Sequence, residues 1–328
     1  MDWYHYHPLH TIYSWLETLA STSPRVRLEV HGVTEEGRKL VAVHVGGERE
    51  DKPVIFIEGG IHAREWISPS TVTFILRELA TNTAYSHLVD MYHWIIMPVV
   101  NPDGYVYTFT KDRMWRKNRG TSKSLLNILS NCRGVDLNRN FAYNWGEDLG
   151  LLTAKAGTPL PCVETFIGDS AFSEPESQAV RNIVLRYRQR MVAYISYHSF
   201  GSKILYPWSF TEEKVPDWKE LHHMANSLAS GIYDTSRGDF YTIGQSSAAP
   251  LHISVEWSIA GTASDIQYTA SGGSDDWVRG VAGVKWVYLI ELPDQQHGFL
   301  LPNTRILPVA TSNMEGLNRL ATTIYETL

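Results

Sequence analysis

The 328-residue sequence has no apolar run long enough to cross a bilayer. Its longest, WIIMPVV and VKWVYLI, fall far short of the roughly 20 residues a membrane helix needs, so no membrane partner is expected. Charge of one sign is nowhere concentrated: the formal net charge is -6 without an acidic or basic block, which argues against a nucleic-acid surface or a polybasic anchor. Cysteine is scarce. The two present, Cys132 and Cys162, could form one disulfide worth roughly 3 kcal/mol or remain two inert buried thiols. No internal repeat, low-complexity tract or Pro/Gly/Ser linker divides the chain, so one domain over residues 1–328 is expected. The opening MDWYHYHPLH lacks a basic segment followed by an apolar one and does not read as a signal peptide, which a mature chain would have lost in any case. There is no N-x-S/T sequon, hence no expected N-glycan.

What is present is an ordinary globular composition, 43% hydrophobic and 20% charged, with alternating strand-like and helix-like segments. RLEV, KLVAVHV, VIFIE, HWIIMPVV, MVAYISY, ILYP and KWVYLIEL read as strands; helices are predicted near 69–81, 174–190, 217–231 and from about 308. This alternation predicts an α/β fold: a mixed, largely parallel central sheet flanked by helices, with the active site at the carboxyl ends of the strands. Ser173 with Glu176 predicts a capping box, and Pro69 after Ser68 suits a first helical turn. Residues 111–165 and 235–280 read as long loops, which in compact domains are usually functional.

The stretch IHAREW follows the predicted strand VIFIEGG and sets His62 and Glu65 three residues apart. An imidazole and a carboxylate at that spacing can share one zinc ion, but a catalytic site needs a third protein ligand. Among the 13 histidines, His198 stands in the same relation to MVAYISY as His62 does to VIFIEGG, so both should project from one sheet edge. His222 and His223 are adjacent in a helix and face different ways, which suits a surface role; His5, His7 and His10 crowd a terminus, where a frayed or packed segment is expected. Glu291, at the end of VKWVYLIEL, reaches the same edge, and a buried glutamate there needs a partner or a task.

With these residues identified, the sequence resembles the zinc metallocarboxypeptidases of the digestive A/B type. HAREW (62–66), NPDGY (101–105), MWRKNR (114–119), GVDLNRNF (134–141), SYHS (196–199), YTASGGSDDW (268–277) and IELPDQQHGFLLP (290–302) follow the family's order across nearly the whole chain. The resemblance implies one Zn2+ held by His62, Glu65 and His198 with a water in the fourth position, and Glu291 as the group that takes that water's proton and passes it to the leaving amine. It implies that Arg116 stabilises the oxyanion, that Asn138 and Arg139 grip the substrate's terminal carboxylate, that Tyr268 closes over the bound residue and that Arg64 lines the cleft. It also implies a Cys132–Cys162 disulfide and therefore a secreted, extracellular enzyme, with digestion in the gut lumen as the family's commonest role, made as a zymogen whose pro-domain is not part of this sequence.

Within that family the resemblance is closest to carboxypeptidase B, because Asp275 stands at the floor of the pocket for the terminal side chain, where A-type enzymes carry an apolar residue. Ser196 and Ser209 fit the same polar pocket, which favours C-terminal Lys or Arg. Three positions depart from the B-type pattern: Ala263 for a glycine, Gln267 for an isoleucine and Leu289 for a threonine. Their bulk should shallow the pocket and favour the compact Lys ammonium at least as much as Arg. Alternatives are an A-type preference, a zinc amidohydrolase acting on amino-acid conjugates, or a noncatalytic carboxypeptidase-like peptide-binding protein. Peptides with a free C-terminus are the expected partners, protein inhibitors are conceivable ones, and a monomer is expected.

Overall fold

The computed structural model describes residues 1–47, 51–123, 131–147, 157–236, 239–247 and 269–328. Among them are eight strands: β1 (Val26–Val33), β2 (Lys39–Val45), β3 (Val54–Gly59), β4 (His93–Met97), β5 (Met191–Ser199), β6 (Lys203–Tyr206), β7 (Thr242–Gln245) and β8 (Trp286–Leu292). They form one sheet in the order β1-β2-β4-β3-β5-β8-β6-β7. The central β4, β3, β5 and β8 run parallel, and antiparallel pairing enters at β2/β4, β1/β2 and β6/β8. Every residue of β3 and of β4 is buried, as expected where a parallel sheet is covered on both faces.

The period of two along these strands sorts their side chains into two cores. Ile55, Ile57, Trp94, Ile96, Ala193, Ile195, Tyr288 and Ile290 enter one; Val54, Phe56, Ile95, Met97, Tyr194 and Val287 enter the other. The first core is covered by α1 (Leu9–Thr22), α2 (Ile67–Thr81), α3 (Ser86–Met91), α6 (Trp218–Ser236) and α8 (Ile306–Tyr325). The second lies under α5 (Pro175–Tyr187) and α7 (Ser274–Gly280), and α4 (Pro102–Thr110) follows β4. No helix among the described residues is long and apolar enough to cross a membrane.

The α/β reading of the sequence holds, and all seven predicted strand runs are strands. Several elements were not anticipated. Leu9, Ile12, Leu16 and Leu19 form the buried stripe of α1, a helix missing from the predicted set, so of the two expectations for the terminus, frayed or packed, His10 meets the packed one. The presumed loop 235–280 contains β7 and α7. The capping box is absent: Glu174 occupies the N-cap of α5, and the Ser173 hydroxyl donates to Glu174 Oε1 at 2.7 Å. Glu176 turns inward and accepts from Asn118 Nδ2 at 3.1 Å.

This topology sets the functional edge. From β3 the chain leaves through α2 on the first face to β4, and it returns to β5 through α5 on the second face, making a crevice beyond the carboxyl ends of β3 and β5. Register pairs Gly59 with Tyr197 and His198 with Glu291. Counting by twos from Tyr194 and Val287 puts Ser196, His198, Leu289 and Glu291 on the same face.

Candidate active site

Beyond β3 the chain must turn at once, and Gly60 with φ +65° makes the turn; a Cβ there would lie 2.9 Å from Pro69 Cγ. The turn brings His62 and Glu65 to face the end of β5. His198 lies inside the last two residues of β5 instead of just beyond the strand. The Nδ1 atoms of His62 and His198 are 3.2 Å apart, Glu65 Oε1 is 2.9 Å from His62 Nδ1, and Glu65 Oε2 is 3.2 Å from His198 Nδ1. All three residues are buried. A tetrahedral zinc with bonds near 2.0–2.1 Å separates its ligand atoms by about 3.3 Å, so this triangle has the dimensions and the N, N, O chemistry of a zinc site.

The protonation pattern agrees. Burial would raise the Glu65 carboxyl, but His62 foremost, and His198, hold it well below the usual range. Burial would lower His198, yet the hydrogen bond and charge of Glu65 push it up to about 9, so the pair draws positive charge to this point. Burial, then Arg116, hold His62 below its ordinary value, leaving a neutral imidazole.

Asp136 organises what surrounds the triangle. It is fully buried; Oδ1 is 3.0 Å from His62 Nε2, and Oδ2 accepts from Arg116 Nε at 3.0 Å and Nη2 at 2.9 Å. Burial opposes its charge, but Arg116 and His62 hold the carboxyl well below the usual range. It thus fixes which nitrogen His62 turns to the centre, the usual arrangement behind a metal-ligating histidine. Two further links tie Arg116 to the triangle. The Arg116 carbonyl accepts from Ala63 N at 3.0 Å, and Asn101 Nδ2 donates to Ile61 O at 3.2 Å and Lys117 O at 3.1 Å, which gives NPDGY its place.

Glu291 reaches the crevice beside His198 and outside the triangle. The residue is partly open, but its Oε2 is shielded from water without a hydrogen-bond partner among the described residues, and burial pushes the carboxyl up to about 7 against the pull of His198. A carboxylate so poised suits proton transfer near neutral pH.

Asn138 and Arg139 lie buried in a single 3-10 turn that begins at Asp136, whose Oδ1 accepts from Asn138 N at 3.1 Å. Asn138 Oδ1 accepts from Ser274 N at 2.9 Å, which turns the amide nitrogen outward as a donor. Gly272, φ +75°, packs directly on this turn: a Cβ would stand 2.4 Å from Arg139 O. Asp275 follows in the first turn of α7. It is buried, its Oδ2 accepts from Ser209 Oγ at 2.7 Å and Ser246 Oγ at 3.2 Å, and its Oδ1 has no partner among the described residues. Asp276 points elsewhere and accepts from the backbone of Ser209 at 2.8 Å and Phe210 at 3.0 Å.

Ser196, cross-strand neighbour of Leu289, gives its hydroxyl to the buried Glu58. Arg64 binds Met114 O at 3.2 Å and Glu164 Oε1 at 2.9 Å and stacks on Phe299. Cys132 and Cys162 are joined in a disulfide. Tyr268, Ala263 and Gln267 lie outside the described residues.

A family profile described as zinc carboxypeptidase matches residues 12–316. The chain belongs to the zinc carboxypeptidase family. Carboxypeptidase B of Astacus astacus is 38% identical over 330 residues, covering 100% of this chain and 99% of the relative. The structure of bovine thrombin-activatable fibrinolysis inhibitor in complex with tick carboxypeptidase inhibitor superposes with a TM-score of 0.84 at 34% identity, covering 99% of both chains. Carboxypeptidase A from Helicoverpa armigera gives 0.85 at 31% identity, over 100% of this chain and 75% of the other. This carboxypeptidase is a zinc metalloenzyme, and its similarity to both A- and B-named relatives leaves the preference to its own pocket. Asp136, Glu58 and Ser246 escaped the reading of single residues. Asp136 sat within the quoted GVDLNRNF, but nothing local ties it to a histidine 74 residues away.

Proposed function

We propose that residues 1–328 are a zinc carboxypeptidase catalytic domain that removes C-terminal Lys or Arg from peptides. His62, Glu65 and His198 hold the zinc ion, which when bound would acidify a water and polarise the scissile carbonyl. Glu291 accepts the proton of the attacking water and returns it to the leaving amine. Arg116, oriented by Asp136, offers its guanidinium to the developing oxyanion. Asn138 and Arg139 receive the terminal carboxylate, which an internal peptide bond lacks, so only the last residue is released. Arg64 borders the cleft and Tyr268 closes it.

The basic preference rests on Asp275, a buried carboxylate with one bare oxygen beside the Asn138 turn. A Cβ on Gly273 would stand 2.6 Å from Asp275 Oδ1 and 3.9 Å from Asn138 Oδ1, so clamp and pocket floor are neighbours. A cationic side chain supplies the missing partner. Leu289 narrows the approach and favours Lys at least as much as Arg. The disulfide supports an extracellular, oxidising location, and the enzyme acts as a monomer whose surface cleft protein inhibitors could fill. The test is kcat/KM for blocked dipeptides ending in Lys, Arg, Phe or Leu, with and without a chelator. Activity that survives chelation refutes the mechanism; preference for Phe or Leu refutes the subtype.

A further inference from the structure

Near the amino end of β4, away from the catalytic edge, a second group of ligand-type side chains meets on the β1–β2 hairpin. Glu29 and His31 alternate onto one face of β1, and register sets His44 opposite Arg27 on that same face. The ligand atoms of Glu29, His31 and His44 lie within 4.8 Å of one another; among the described residues the only other such group is His62, Glu65 and His198. His44 Nε2 is 3.2 Å from Glu29 Oε2, and His31 Nε2 is 3.8 Å from Glu29 Oε1, close to the edge of about 3.3 Å in a tetrahedral zinc site.

Two observations make this more than an ion-pair network. The His31 side chain is only 8% exposed, yet its Nε2 faces the group without a hydrogen bond to any described residue, which at that burial needs explaining. His44 Nδ1 is 3.0 Å from His93 Nε2, so His44 meets the group through Nε2; in metal-ligating histidines, too, the second ring nitrogen is held by a neighbour. Arg27 Nη1 and Arg186 Nη1 each donate to Glu29 at 2.7 Å and compete with a cation. Their side chains are 46% and 51% exposed, so their ion pairs with Glu29 are screened by water and individually weak.

We infer that Glu29, His31 and His44 form a second site for a zinc-type divalent metal, weaker than the catalytic one because two guanidinium groups must give way. Two imidazoles and one carboxylate select this class over calcium or magnesium, which take oxygen ligands. The test uses holoenzyme equilibrated by dialysis against a series of free zinc concentrations, with bound zinc counted per chain. Wild type should take up a second equivalent and His31→Ala should stop at one, while both hydrolyse peptide equally at one equivalent. Arg186→Ala should bind the second zinc several-fold more tightly, a gain that misfolding cannot mimic. A wild type that stops at one equivalent, or a His31→Ala protein that takes up the second as readily, overturns the site.

Discussion

Asp275→Asn isolates the charge that the proposed specificity needs. The substitution keeps the shape of the side chain and one oxygen for Ser209 and Ser246, which now hold Oδ2 at 2.7 and 3.2 Å. What it removes is the attraction between Oδ1, which has no partner among the described residues, and an incoming ammonium. At about 4 Å and an effective dielectric near 20 that attraction is about 4 kcal/mol, and truncating one partner of a buried charged pair costs roughly 2–5 kcal/mol. With about 1.4 kcal/mol per tenfold, kcat/KM for C-terminal Lys should fall between roughly 30-fold and a few thousand-fold. Cleavage of C-terminal Phe, which places no cation there, should hold steady or improve. Asp276→Asn is the internal control. Asp276 is buried beside Asp275, but its two oxygens are taken up by the backbone N–H groups of Ser209 and Phe210. The assay is kcat/KM for Lys and Phe on one blocked scaffold in wild type and both variants. An unchanged Lys/Phe ratio in Asp275→Asn, or an equal loss in Asp276→Asn, refutes the assignment of the pocket floor.

The other expectations concern the centre and its supports. His198→Ala should lose most of its zinc, as metal analysis will show; full occupancy would exclude this residue from the ligands. Glu291→Gln should keep its zinc and lose kcat, and the wild-type rate should fall as pH drops through the Glu291 pKa, which lies below about 7 once a dication stands beside it. A pH profile of kcat/KM that is flat on the acid side in wild type would remove Glu291 as the base. Asp136→Asn should weaken zinc binding roughly 10–100-fold, because His62 loses the acceptor that orients it, and chelator competition measures this. Glu176 is a stability test: burial, then Glu174, raise its carboxyl to about 8, so ionising it opposes folding, and stability is lost as pH rises from the ordinary carboxylate range through 8. Glu176→Gln should therefore match wild type in denaturant midpoint at pH ~5 and exceed it at pH ~9; a lower midpoint at the higher pH contradicts the reasoning.

The sequence alone determined the class of fold and the edge where chemistry occurs. VIFIEGG, MVAYISY and VKWVYLIEL are mainly apolar runs in which Glu58, Ser196 and Glu291 come near the carboxyl ends, and burial on both faces of a parallel sheet allows few polar residues elsewhere. The placement of His62, His198 and Glu291 at one sheet edge was therefore legible before any contact was known. Local signals misled where tertiary contacts outweighed them: Ser173 and Glu176 have capping-box spacing, but Glu176 is drawn inward to Asn118 and Ser173 turns to Glu174. The order of the strands, the 3.2 Å approach of two histidines 136 residues apart, the three-way hold of Asp136 and the pairing of Ser209 and Ser246 on Asp275 belong to the tertiary structure. Period and propensity act over a few residues, whereas a hydrogen bond between distant segments exists only after the sheet has set their register.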